Sequence, residues 1–311
     1  MKILFTGGSS FTGYWFIKEL VKNGHEVHAT FTKELDQYEG VRKLRVDELK
    51  DLVTPITQIK FGDDKFLELL EKEKYDFLCH HMAMISGFSY RDMNYDISEA
   101  VGENTRNINK VMEIFSKSGK GVVITGTVFE GTESKGEGSE TPAYPYALAK
   151  TLTSEIVSYY ADYYHVNFGK FTIPNPFGPM EEPKFTTYLI KQWKEGNTPT
   201  VKTPEYIRDN IHVELLAKVY SEFINNIKDS KDSLKIAPSG YVGKQGEFAK
   251  TFASEMKIRL DLECNVDFAV QTEFEEPKEL VNTDKVDSSK YDWDEEKAWN
   301  EIADFYKKVY L

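Results

Sequence analysis

Residues 1–31 read MKILFTGGSSFTGYWFIKELVKNGHEVHATF. Ile3 to Phe5 is a short apolar run that stops at Gly7-Gly8, as a buried strand does at a tight turn. From Tyr14 onward, Trp15, Phe16, Ile17, Leu20 and Val21 supply the apolar face of a helix, and Gly24 closes it. Residues 25–31 read as the next strand. Strand, glycine turn, helix and strand within about thirty residues is a βαβ unit, so the two strands are parallel.

The turn has a chemistry of its own. Gly7, Ser10 and Gly13 stand at G-x-x-S-x-x-G spacing. Gly7 can take the positive φ of a tight turn, and Gly13 lets the helix approach the strand closely. Ser9, Ser10, Phe11 and Thr12 sit at the helix start, where free amides and the helix dipole would hold a pyrophosphate. A glycine-rich turn is often only a turn, but this one follows a strand, opens a helix and begins a βαβ unit, which favours a dinucleotide. Ser10 replaces the usual middle glycine, and its hydroxyl is a candidate phosphate donor. After the second strand come Thr32 and Lys33, with no acid to hold a ribose 2′-hydroxyl. Lys33, Arg42 and Arg45 would suit a 2′-phosphate, or are solvated surface charges. The expected cofactor is NAD or NADP, with NADP slightly favoured.

The alternation continues, with strands at 56–61, 77–81, 121–125 and 168–173 and helices at 65–73, 98–118 and 146–164. This is a Rossmann-type doubly wound α/β pattern. At residues 174–179, PNPFGP, proline density rises and the alternation ends. The chain therefore divides into a dinucleotide-binding domain, 1–175, and a smaller mixed C-terminal substrate lobe, 176–311. Some of the latter, such as 208–238, is expected to return to the first domain.

Composition excludes several classes. The net charge of −12 argues against nucleic acid and anionic membranes as partners, because phosphate neutralisation needs clustered Lys and Arg. No apolar run reaches membrane-spanning length, the N-terminus does not read as a signal peptide, and Cys79 and Cys264 show no paired spacing. A cytoplasmic protein with free thiols is expected. His80 and His81, adjacent on a strand, point to opposite faces, and no metal site is expected.

Tyr146 and Lys150 place a phenol and an ammonium one helical turn apart on the same face. Together with the glycine turn, these residues resemble the extended short-chain dehydrogenase/reductase family, in its nucleotide-sugar epimerase/dehydratase branch. Gly62-Asp63 is similar to the Gly-Asp whose acid contacts adenine in that family. Residues 76–83 resemble its fourth strand, with Met82 and Ala83 lining the cofactor. Asn104 resembles the asparagine of its following helix, and Thr125-Gly126-Thr127 its Ser/Thr run after the fifth strand. Residues 175–179 resemble its N-x-Y-G-P segment, with Pro174 just before it. Residues 208–213, RDNIHV, resemble its R-D-x-I-H-V segment, whose arginine meets the substrate pyrophosphate.

The resemblance implies an NAD(P)-dependent oxidoreductase acting on a nucleotide sugar. Tyr146 would be the acid/base, with its phenol pKa lowered by Lys150. Lys150 would also bind the nicotinamide ribose, and Thr127 would polarise the substrate oxygen. Counting forward from the strand selects Thr127 as the catalytic hydroxyl; counting back from Val128-Phe129 selects Thr125, otherwise a cofactor contact. Asn175 and Arg208 would hold the substrate diphosphate. Val128-Phe129, in place of the Asp-Glu of family dehydratases, disfavours dehydration and leaves epimerisation or 4-keto reduction. The missing acid after the second strand leans the reading towards a reductase. Alternatives are a reductase of a non-nucleotide carbonyl and a non-catalytic NAD(P)-binding regulator. The family also implies a homodimer in which helices 98–118 and 146–164 pair across a two-fold axis.

Overall fold

The structure is a computed structural model describing residues 1–84, 92–136, 139–230 and 232–311. The first part alternates strand and helix: β1 (Lys2–Thr6), α1 (Phe11–Lys22), β2 (Glu26–Thr30), α2 (Gly40–Leu49), β3 (Thr54–Ile56), α3 (Asp64–Lys72), β4 (Phe77–His80), α4 (Ile97–Asn104), α5 (Ile108–Phe115), β5 (Gly121–Thr127), α6 (Pro145–Tyr163) and β6 (Asn167–Ile173). The remainder comprises β7 (Asn175–Phe177), α7 (Phe185–Lys194), β8 (Thr200–Val201), β9 (Ile207–His212), α8 (Val213–Asp229), β10 (Leu234–Ile236), β11 (Pro238–Ser239), β12 (Tyr241–Lys244), α9 (Gln245–Lys257), β13 (Asp267–Phe268), β14 (Glu279–Leu280), β15 (Asp284–Lys285) and α10 (Glu295–Val309).

Seven strands form one sheet in the order β10-β6-β5-β4-β1-β2-β3, and every neighbouring pair is parallel. Alternate side chains feed two cores, as strand geometry requires. Ile3, Phe5, Cys79 and Phe171 join α1 and α8 on one face, while Leu4, Leu78, Val122 and Ile124 join α3, α5 and α6 on the other. The strand order reverses between β1 and β4, which opens a crevice at their C-terminal ends. Beyond β6 a smaller mixed sheet is built on β9, with β12 antiparallel to it and β7 and β14 parallel. Phe177, Trp193, Phe252, Trp299 and Tyr306 form the core beside it. From α8 the chain returns to the large sheet and adds its edge strand, β10.

Three elements differ from the sequence reading. The helix expected over 98–118 is two helices, broken between Asn104 and Ile108. Asn107 takes a left-handed φ of 50°, which asparagine tolerates better than most residues. Its Nδ2 donates to the carbonyl of Gly62 at 2.9 Å, while the carbonyl of Asn104 bonds His80 Nε2 at 2.8 Å. Tertiary partners thus claim the groups that would have continued the helix. The third strand spans Thr54–Ile56 and not 56–61, because Gln58, also at positive φ, turns the chain immediately after it.

The third difference is α2, which the alternation missed because its sequence, GVRKLRVDEL, is dominated by polar residues. Its Val46 and Leu49 are fully buried. So is Arg45, whose Nη1 donates to the carbonyl of Met180 at 2.8 Å and whose Nη2 pairs with Glu182. Arg42 reaches the same carboxylate at 3.5 Å. Arg45 is therefore an internal strut between α2 and the start of the second lobe, not a cation free to meet a 2′-phosphate. Arg45→Met should lower stability by about 3 kcal/mol, because it strips the Met180 carbonyl of its buried donor and leaves Glu182 only the more exposed Arg42. Urea denaturation of both proteins measures the loss.

Candidate active site

The candidate residues lie on and after the strands of the large sheet and on α6, β7 and β9. Ser10 is the N-cap of α1, with φ −75° and its hydroxyl accepting from Gly13 N at 3.1 Å. Gly7 takes φ +81°. A Cβ on Gly13 would lie 2.6 Å from both the Gly7 carbonyl and Ser10 Oγ, so only glycine lets the turn close. Phe11 and Thr12 occupy the first two helical positions, whose amides have no helical acceptor. With Ser9 they are the residues that could cradle a diphosphate.

Ser10 does not aim its hydroxyl outward. Its oxygen donates to the Gly7 carbonyl at 2.9 Å and lies 3.0 Å from His81 Nε2, which also meets Thr12 Oγ1 at 3.1 Å. His81 Nδ1 lies 2.8 Å from Thr125 Oγ1, so each ring nitrogen has a hydroxyl partner and the neutral ring donates through one and accepts through the other. Burial first, then the neighbouring Lys150 and His80, depress His81 to about 3, so the ring is neutral throughout the physiological range. The sequence reading gave His81 no role. The signal was available: a polar ring one residue beyond a buried strand, opposite a serine in a glycine's place.

The Thr6 hydroxyl accepts from the amides of His81 and Met82, each at 3.1 Å, and so sets the path of Met82 and Ala83. Asn104, 1% exposed, accepts from Met84 N at 2.9 Å through Oδ1, and its Nδ2 lies 3.4 Å from Thr153 on α6. Asp63 caps α3, accepting from Phe66 N at 2.8 Å and from Lys60 N at 2.9 Å. Thr32 and Lys33 are exposed past the end of β2, and Pro174 is buried after β6.

Lys150, 4% exposed, lies on α6 against β5, and Tyr146 is half-buried one turn earlier. The Tyr146 ring meets Tyr95 edge-on at 6.0 Å. Burial, Tyr95 and Glu130 push its phenol up, not down as the sequence implied. Lys150 is pushed down to about 8 by burial, opposed by Glu130 and reinforced by Lys170. In the free protein Tyr146 is thus an acid with its proton in place. Of the two threonines, Thr125 is buried on His81, while Thr127 is partly exposed at the end of β5, with its amide held by Glu130 Oε1 at 2.8 Å.

The substrate candidates lie on β7 and β9 of the smaller sheet. Asn175 donates to the Asp209 carbonyl at 3.2 Å. Arg208 is buried. Its Nη1 donates to the carbonyls of Ile207, Lys278 and Pro277 at 2.8, 3.1 and 3.2 Å, and Nη2 pairs with Glu276 Oε2 at 3.2 Å. Tyr144, two residues before Tyr146, donates to the same carboxylate. Glu276 had no place in the sequence reading, because it lies far along the chain in an irregular segment.

Gly13→Ala should weaken dinucleotide binding at least about ten-fold by pushing the helix off the turn. Calorimetric titration with NAD measures it, and an unchanged affinity would show that the cradle lies elsewhere.

No helix among the described residues is long and apolar enough to cross a membrane. No curated protein sequence matches the chain. Solved structures do match over the whole chain. UDP-glucose 4-epimerase from Thermotoga maritima, solved with UDP-glucose, is 14% identical, with a TM-score of 0.75 and 100% of both chains covered. UDP-glucuronic acid 4-epimerase from Bacillus cereus, solved with UDP-glucuronic acid and NAD, is 17% identical, with a TM-score of 0.73 and again 100% of both chains covered. The UDP-Glc/GlcNAc 4-epimerase of Campylobacter jejuni is 20% identical, with a TM-score of 0.70 and 99% of each chain covered. At these identities the likeness is one of fold. The model of the NAD dependent epimerase/dehydratase family matches residues 3–237, three quarters of the sequence, and the chain belongs to that family.

Proposed function

We propose that this protein is an NAD(P)-dependent enzyme that epimerises a nucleotide-activated sugar by hydride transfer, with Tyr146 as acid/base. The observation that carries the reading is the pairing of Tyr146 with the buried Lys150 on a helix packed against β5, whose end bears Thr127. Family membership supports NAD-dependent chemistry. Neighbours of the same fold solved with UDP-sugars, two of them UDP-sugar 4-epimerases crystallised with their substrates, support a nucleotide sugar and epimerisation. The lean towards a reductase rested on the missing acid after β2; of the cations that would meet a 2′-phosphate there, Arg45 is buried and Arg42 meets Glu182. Lys33 remains exposed, and either cofactor suits the cradle.

Each residue then has a task. The amides of Ser9 to Thr12 bind the dinucleotide diphosphate, Asp63, Met82, Ala83 and Asn104 border the rest of it, and Lys150 holds its ribose. The nicotinamide, when bound, supplies the hydride acceptor and donor, together with a positive charge. Tyr146 takes the proton of the sugar hydroxyl at its phenolic oxygen and returns it, and Thr127 holds the same sugar oxygen. The raised phenol of the free protein acts as a safeguard: the base forms only once a positive charge lies beside Tyr146. Asn175 and Arg208 take the substrate diphosphate, and Arg208 exchanges Glu276 for it.

We place the protein in the cytoplasm as a homodimer formed through α6. Leu152, Tyr159 and Tyr163 recur along that helix and are 40%, 65% and 64% exposed, an apolar stripe suited to a helix–helix interface.

Tyr146→Phe should lower kcat by about 10²- to 10⁴-fold while leaving NAD affinity within a few-fold. The parent should interconvert UDP-glucose or UDP-glucuronic acid and their 4-epimers, followed by NMR, without net NADH. Stoichiometric consumption of NADPH would replace the epimerase with a reductase. Turnover of free carbonyls alone would remove the nucleotide sugar, and absence of any turnover would leave a cofactor-binding protein.

A further inference from the structure

β6 reads NFGKFTI and carries a lysine in its middle. Lys170 is 2% exposed in the interior of a parallel sheet, where an ammonium requires counter-charge. Its Nζ lies 2.6 Å from Glu130 Oε2 and 2.9 Å from Glu133 Oε1. Glu130 is 1% exposed. Its second oxygen accepts from Thr127 N at 2.8 Å, and its own amide donates to the Thr127 carbonyl at 3.0 Å. The turn that carries the Thr127 hydroxyl is therefore closed twice by one residue. Glu133 faces away from it, accepting from Thr172 Oγ1 at 3.1 Å with Lys235 at 3.8 Å.

Buried ion pairs contribute little net stability compared with apolar residues of similar size, so its position matters more than its strength. Glu130 acts on both Tyr146 and Lys150. Tyr95 meets Tyr146 edge-on, the charge of Lys170 opposes that of Glu130 at Lys150, and His80 and His81, kept neutral by burial, feel the Lys150 charge. Among these, Glu130 supplies the negative charge.

We propose that Glu130, anchored by Lys170, is a positioning residue of the hydride-transfer reaction, fixing the Thr127 turn with one oxygen and backing the Lys150 ammonium with its charge. This rests on the epimerase reading of the site.

Two substitutions separate the two roles. Glu130→Gln keeps an oxygen for the Thr127 amide and removes the charge. Glu130→Asp keeps the charge and withdraws the oxygen. Lys150, already below the ordinary lysine value at about 8, loses its proton at still lower pH when a negative neighbour is removed. Glu130→Gln should move the alkaline limb of the kcat profile down by about one unit and lower kcat at pH 8 about ten-fold, with NAD affinity unchanged. ¹³C-lysine NMR of the cofactor-free protein should show the same shift in Lys150. Glu130→Asp should lower kcat about ten-fold with the limb in place. Parental limbs, Lys150 titration and kcat in both variants would overturn the proposal. If Glu130→Gln does not fold, the kcat and limb of Glu130→Asp decide. If the parent processes no nucleotide sugar, the epimerase reading fails, while the Lys150 titration still tests whether Glu130 backs the ammonium.

Discussion

The first turn of α1 must sit against the turn that precedes it and the ring of His81 after β4, and position 13 has no room for a Cβ. Gly13 supplies the clearance, and the short polar groups of Ser10, Thr12, His81 and Thr125 supply the adhesion. That contact fixes the first turn of α1 relative to the fifth strand, and hence relative to Thr127 and Lys150. Because His81 stays neutral, the knot holds by directed hydrogen bonds, which tolerate little displacement. Ser10 is then not a lapse from a glycine pattern but one half of a pair whose other half is His81.

A second layer of polar groups lies behind the candidate site residues. Asn104 ties the end of β4 to α4 and α6, Glu130 ties the end of β5 to β6, and Arg45 ties α2 to the second lobe. Each is buried and joins elements distant in the chain. Parallel strands lend themselves to this, since their ends gather at one edge of the sheet and leave loops that only side chains can cross-link.

The doubly wound sheet was legible because its signals are local. Apolar periodicity and the glycine corner belong to residues 1–31 alone, and Tyr146 and Lys150 are one turn apart in sequence as in space. What was missed depends on partners far away. The helix break at Asn107 is set by Gly62 and His80, and the internal duty of Arg45 by Met180 and Glu182. The phenol of Tyr146 was expected to be lowered by Lys150 and by the cationic nicotinamide of a bound cofactor; in the free protein burial, Tyr95 and Glu130 raise it. Lys170 was the overlooked clue, since a lysine inside a buried strand implies an acid somewhere behind it.

The edge strand β10 carries a consequence for how the molecule is made. It pairs with β6 in parallel register, Leu234 opposite Gly169 and Ile236 opposite Phe171, yet some sixty residues of second-lobe chain and helix α8 intervene. A nascent chain emerging from the ribosome therefore holds β6 as a raw border until α8 and β10 arrive. Such distant parallel pairing is slow to form, and during synthesis the exposed flank of β6 is where this protein is most vulnerable to sticking to its neighbours.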